Sequence, residues 1–177
     1  MTLLQPQKVL RPLVSADLDE LLRIQREGAV AGLGHIFPQQ EHPFPIDTIR
    51  ARWEAELSDP GVRCFAILQD GRLAGFGALR GNELLHFGTA LATWGSGLAG
   101  CAHDELMQVL RAEGHRRAWL RVFDENVRAV RFYTRRGWVP TDATEPTTFP
   151  PHPTLRRFEL DLEVRRSASS ERDKGKR

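Results

Sequence analysis

The stretch Trp94-Gly95-Ser96-Gly97-Leu98-Ala99-Gly100 stands between a strand-like run, Leu84 to Ala90, and the start of an amphipathic helix. Backbone N–H groups at a helix start have no intrahelical partner, and together with the helix dipole they form a cradle for phosphate. Three glycines at a helix entry are costly in conformational entropy unless something must approach the backbone closely. The stretch therefore predicts a nucleotide-like cofactor whose pyrophosphate rests on Gly95, Ser96, Gly97, Leu98, Ala99 and Gly100.

Two patterns compete for these residues. Gly95-x-Gly97-x-x-Gly100 matches the dinucleotide fingerprint by letter, with Asp124 as the downstream acid. That fingerprint requires the glycines directly after the strand, the acid about twenty residues on, and a run of parallel βαβ units. Here Leu91 to Trp94 intervene, Asp124 lies too far along, and the upstream elements read as hairpins, so an NAD(P)-binding role is the weaker reading.

The longer pattern is Phe87-Gly-Thr-Ala-Leu-Ala-Thr-Trp-Gly-Ser-Gly-Leu-Ala-Gly100, followed by Asn126-Val-Arg-Ala129-Val-Arg-Phe132-Tyr133-Thr-Arg-Arg-Gly137-Trp138. It resembles the two signatures of the GCN5-related N-acetyltransferases, a strand leading into Q/R-x-x-G-x-G/A and then N-x-x-A-x-x-F-Y-x-x-x-G-F/W. The resemblance extends over about residues 8 to 162 and implies acetyl-coenzyme A as cosubstrate. It departs at Trp94, which stands where the family has Gln or Arg and so removes a charged phosphate contact.

Composition agrees with one domain, residues 1–163, large enough to bury a core without crosslinks. The two cysteines support no disulfide framework; Cys64 falls in a strand pattern and Cys101 on an apolar helix face, so both are expected to be buried and reduced. No leader-like or membrane-spanning run is visible, which predicts a cytoplasmic protein without a membrane partner. The net charge of +2 is unevenly spread: in residues 164–177 the basic residues outnumber Glu171 and Asp173 by four, leaving the body at −2. Such a body has no electrostatic footprint for nucleic acid, and the basic segment reads as a disordered tail. The six histidines lack paired ligand spacing, His103 and His115 read as exposed, and no metal is expected.

Along the chain, Val9 to Leu13 reads as a strand, Ser15 as the cap of a helix through Leu18, Leu21, Leu22 and Ile24, and Thr48 to Leu57 as a second helix. Strands follow at Val62 to Leu68, Leu73 to Leu79 and Glu83 to Ala90, with Asp70-Gly71 as a type I′ hairpin turn. The next helix places Leu98, Cys101, Ala102, Leu106, Val109 and Leu110 on one face and stops at Gly114. A strand at Ala118 to Phe123, a helix from Glu125 or Asn126 ended by Gly137, and strands at Trp138 to Thr141 and Leu155 to Leu162 complete the order. The fold class is α/β (α+β), a mixed and mostly antiparallel sheet with helices on both faces and a splayed parallel strand pair, as the resemblance implies.

The resemblance also assigns roles. The strand edge at Phe87, Gly88 and Thr89 would meet the pantetheine amides, one N–H polarising the thioester carbonyl, with Gly88 either allowing close approach or serving packing. Asn126, Ala129 and Tyr133 share a helix face that can point at the cofactor, whereas Phe132 reads as core. Tyr133, the chain's only tyrosine, would serve the departing sulfur. The base is less plain, because Arg121 holds the position where some relatives have glutamate; Glu83, His86 or a water chain stand in for it. The proline-broken stretch Gly32 to Pro45 reads as the acceptor loop. The expected partner is a small-molecule or peptide amine, homodimer formation stays open, and a catalytically silent acyl-coenzyme A binder is the alternative to an enzyme.

Overall fold

A computed structural model describes residues 7–163; the tail at 164–177 lies outside the described residues. Strand β1 (Leu10–Pro12) is followed by helices α1 (Leu18–Leu33) and α2 (Ile46–Ser58), then by the meander β2 (Val62–Gln69), β3 (Arg72–Arg80) and β4 (Glu83–Thr89). Helix α3 (Leu98–Ala112), β5 (Arg117–Phe123), α4 (Val127–Arg135), β6 (Val139–Pro146) and β7 (Thr154–Asp161) complete the order. The sheet runs β1-β2-β3-β4-β5-β7-β6, antiparallel throughout except for β4 beside β5. A single parallel pair inside an antiparallel sheet is incompatible with a dinucleotide-binding βαβ array.

Successive side chains on a strand point to opposite faces, and β3 displays both layers. Phe76 and Ala78 enter a core formed with Leu21, Leu22 and Ile24 of α1 and Ile49 and Trp53 of α2. Gly77 between them faces the other way, where an added Cβ would stand 3.0 Å from Leu106 of α3. That second layer packs Leu106, Met107 and Leu110 with Leu120, Val122, Tyr133, Trp138 and Phe158. Each fully buried side chain of this size contributes about 1.5–3 kcal/mol through its removal from water.

Local signals operate as expected in several places. Asp70 and Gly71 have φ of 51° and 75°, the positive pair that a type I′ turn needs, and Gly114 and Gly137 end α3 and α4 at 88° and 91°. Ser15 is not the first cap. The carboxylate of Asp17 takes that role by accepting from the Val14 N–H at 2.9 Å, and Arg11 grips both of its oxygens.

The buried face of α3 is also turned from the expected one. Ala102, His103, Leu106, Met107 and Leu110 are buried, whereas Cys101 is exposed. Cys64 is half-buried, and burial pushes its thiol up to about 11.

Candidate active site

The site begins with a break in the sheet. Ala78 of β3 faces His86 while Leu79 faces Leu84, so Leu85 is an extra residue and β4 carries a bulge there. Bulges bend a strand and increase its twist. Immediately before this one, Glu83 faces Trp119 in the sole β4–β5 register pair, and the Trp119 N–H donates to the Asn82 carbonyl at 3.1 Å. Beyond it the strands part, and a cleft of about 1850 Å³ opens between Leu84–Thr89 and Leu120–Phe123. Such a volume exceeds the usual 300–1,000 Å³ of a single-ligand pocket.

At one end lies the glycine turn. Gly95 and Gly97 have φ of 81° and 89°, where a side chain would be strained. Gly97 is the N-cap of α3, and its carbonyl accepts from Cys101 N, so the N–H groups of Ala99 and Gly100 precede the first intrahelical bond. Ser96 Oγ accepts from Leu98 N at 3.3 Å. Ser96 and Leu98 themselves do not line the cleft: the hydroxyl caps the helix, and the Leu98 side chain is in the core.

Positive charge reaches this end from α4 rather than from position 94. Trp94 donates its indole N–H to the Thr89 carbonyl at 3.0 Å and lies against Gly28 and Gly32 of α1, while the Arg128 guanidinium stacks 3.5 Å over its ring. Arg136 lies over Gly100, where an added Cβ would collide with its Nη2, and Asp104 holds it at 2.7 Å. Arg131 also lines the cleft. The charge that Trp94 lacks is thus supplied from a helix some thirty residues later. The α3–α4 layer fixes this wall through Trp138, whose indole N–H donates to His103 Nε2 at 2.9 Å. His103 is therefore a buried core histidine, not an exposed one, and burial lowers its pKa.

Phe87, Gly88 and Thr89 border the opening, with no β5 partner along that edge. The glycine at 88 serves packing, because a Cβ would strike the Phe76 ring at 2.6 Å. Asn126 Oδ1 caps α4 by accepting from Ala129 N at 3.2 Å, leaving its amide N–H groups toward other partners. Asn126, Ala129 and Tyr133 all line the cleft. Phe132, expected in the core, is half-buried and also lines the cleft, where its ring stacks on Phe87 at 5.8 Å. The Tyr133 ring is buried, and its hydroxyl makes no hydrogen bond among the described residues; burial raises the phenol well above the ordinary value, so it is neutral and can donate.

The middle of the cleft separates the two candidate bases. Glu83 is buried at the closed end of the β4–β5 pair, its carboxylate taken by Arg121 at 3.0 Å, and it is absent from the cleft lining. The bulge follows it and turns His86 toward α2. His86 Nε2 approaches the two Glu56 oxygens at 2.9 and 2.8 Å, with the Trp53 ring 4.8 Å away. Facing a carboxylate, Nε2 bears the proton, which leaves Nδ1 with a free lone pair. Burial lowers the His86 pKa more than Glu56 raises it. The imidazole is therefore neutral at pH 7.

The far wall is the loop between α1 and α2. Phe37 packs edge-on against Phe123 at 5.6 Å, and His35 Nε2 meets the Glu125 carbonyl at 2.8 Å, tying the loop to the end of β5. Phe37 lines the cleft, and Phe44 both lines it and packs on the α1–α2 core.

A splayed parallel pair in an antiparallel sheet, with a glycine turn at one end of the opening, is the arrangement that the sequence resemblance implied. A family model described as the Acetyltransferase (GNAT) family matches residues 18–138, and the chain belongs to that family. Among solved structures, it is similar to the paiA N-acetyltransferase from Thermoplasma acidophilum in complex with coenzyme A, at 17% identity, covering 86% of this chain and 97% of that one with a TM-score of 0.70. The spermidine N-acetyltransferase from Vibrio cholerae in complex with coenzyme A and spermine shares 18% identity over 86% of this chain and 94% of that one, TM-score 0.65. The ribosomal-protein-S18-alanine N-acetyltransferase from Escherichia coli shares 18% over 94% and 98%, TM-score 0.64. At these identities the likeness is one of fold. No curated protein matches the sequence.

Proposed function

We propose that the protein transfers an acetyl group from acetyl-coenzyme A to a primary amine by direct attack. The observation that carries this reading is the cleft itself, which joins a phosphate-type glycine turn, an unpaired β4 edge and a neutral, carboxylate-oriented His86. The family match and the coenzyme A and amine ligands named for the neighbours support the same class.

The residues fit the cosubstrate. The first-turn N–H groups of α3 with Arg128 and Arg136 would hold phosphates, Asn126 and the Phe87–Thr89 edge the pantetheine, and Ala129 leaves room for it. Bound there, acetyl-coenzyme A supplies a thioester whose carbon–sulfur bond breaks as the amine nitrogen bonds to the carbonyl carbon.

Each protein group then has one task. His86 Nδ1 takes the proton that the amine loses, and Glu56 holds the ring and stabilises its charged form. A β4 N–H polarises the carbonyl oxygen. Tyr133 donates to the departing sulfur. Glu83 is left a structural role in the ion pair with Arg121. Thiol release from acetyl-coenzyme A, measured across a panel of primary amines, tests the reading: it requires amine-dependent release, and binding of acetyl-coenzyme A without release for any amine would leave only the silent binder.

A further inference from the structure

Arg52 precedes Glu56 by one turn of α2 and also lines the cleft. Its Nε is shut away from solvent with no acceptor, the one buried side-chain polar atom so placed among the described residues. Glu56 is the obvious partner for it, since residues four apart share a helix face. Both oxygens of Glu56 are instead engaged by His86. Burial lowers the Arg52 pKa, opposed only by the charge of Glu56. The contrast with Arg121 is plain: that guanidinium is held between Glu83 and Glu145.

A partly desolvated guanidinium without an acceptor is rare in a folded protein and calls for an explanation. An anion delivered with the substrate supplies one, met through the two Nη nitrogens, which make no hydrogen bond among the described residues and whose charge it would balance. The planar fork of arginine matches a carboxylate in two parallel hydrogen bonds. Arg52 also lies close enough to His86 to hold down its proton affinity, as does Arg80, a second guanidinium bordering the cleft at the end of β3. The lining carboxylate with no described partner is Glu41, exposed on the loop between α1 and α2. The inner acceptor half is thus cationic where it meets the base.

We propose that Arg52 binds a carboxylate of the acceptor, so that the acceptor is a small amino-carboxylate of the amino-acid type rather than a polyamine. The inference rests on the acetyltransferase reading for the direction in which the amine points, at His86.

Binding to the coenzyme A-saturated protein tests it without turnover. The probes are N-acetyl derivatives of the common amino acids, each as free acid and as carboxamide, followed by isothermal titration. At least one acid should bind tenfold or more tightly than its amide. R52Q should erase that preference while melting temperature and coenzyme A affinity stay near wild type, and R52K, which keeps charge without the fork, should retain part of it.

The proposal is overturned if no acid is preferred over its amide, or if the preference survives R52Q unchanged. Should R52Q fail to fold, the wild-type preference and the R52K result decide by the same criteria. Amine-dependent thiol release with no acid preference would sink this proposal alone. Acid preference without release for any amine would sink the enzymatic reading alone.

Discussion

His86 Nε2 and the Glu56 carboxylate meet at 2.8 Å across thirty residues of sequence, and the proposed reaction takes this pair as its base. Removing the imidazole by His86→Gln should lower kcat by about a hundred- to ten-thousandfold. Glu56→Gln keeps an acceptor for Nε2 and loses the charge that raises the His86 pKa. The acid limb of kcat should therefore move to lower pH, with a smaller loss at its plateau. A limb that stays in place in E56Q, in a pH profile taken with saturating substrates, would assign Glu56 to packing.

The two signature segments were legible because their rules are local. A positive φ at Gly95 and Gly97, a cap at Asn126 and a stop at Gly137 each depend on a few neighbouring residues. The His86–Glu56 pair was not legible in the same way, since it requires α2, β4 and a bulge at Leu85 that no turn residue announces. The alternation of β4 favours neither Glu83 nor His86 until that bulge is known. On α3, the apolar count alone puts Cys101 on the buried flank of the Ala102–Leu106–Leu110 stripe and leaves His103 outside, the reverse of what the structure shows. The Trp138 indole, arriving from the far side of α4, selects His103 for burial over Cys101.

Gly100 and Arg136 make the phosphate wall testable apart from stability. The side-chain end of Arg136 can move, so Gly100→Ala should fold normally yet displace the guanidinium from the α3 entry. Losing a charged hydrogen-bonding group costs about 1.5–3 kcal/mol, so the Kd for coenzyme A should rise about tenfold or more. Arg136→Gln should match it, and the two changes together should add little. Gly97→Ala differs, because φ of 89° strains any side chain and should lower the melting temperature as well.

His103 should make stability depend on pH. Trp138 can only donate, so Nε2 is the acceptor and Nδ1 carries the proton that goes to Asp104 at 3.0 Å. Burial lowers the folded pKa of both His103 and His86. The unfolded chain then binds more protons between the folded values and about 6.5, and stability falls as pH drops through that window. His103→Gln keeps an acceptor for Trp138 and cannot titrate. Its melting temperature should decline less steeply than wild type between about pH 7 and 5, with His86 contributing to the slope that remains. Parallel curves for the two proteins would contradict this assignment.

In the proposed reaction Tyr133 acts at the sulfur end. Burial raises its pKa further above a thiol's reference value of about 8.5, so complete proton transfer to the thiolate runs uphill. The phenol serves better as a neutral donor to the developing negative charge. A hydrogen bond to a charged group is worth about 1.5–3 kcal/mol, which sets the loss in kcat for Tyr133→Phe at roughly tenfold to a hundredfold. Phenylalanine keeps the edge contacts to Phe132 and Trp138, 5.4 and 5.8 Å between ring centroids, so folding and coenzyme A affinity should persist. No alkaline limb should belong to the phenol, since its titration lies above the working range. Replacing the acetyl thioester with one whose thiol leaves more readily should shrink the difference between Tyr133→Phe and wild type. If single-turnover rates of the two proteins agree within about threefold for the natural thioester, Tyr133 is a packing residue and the leaving thiolate is stabilised elsewhere.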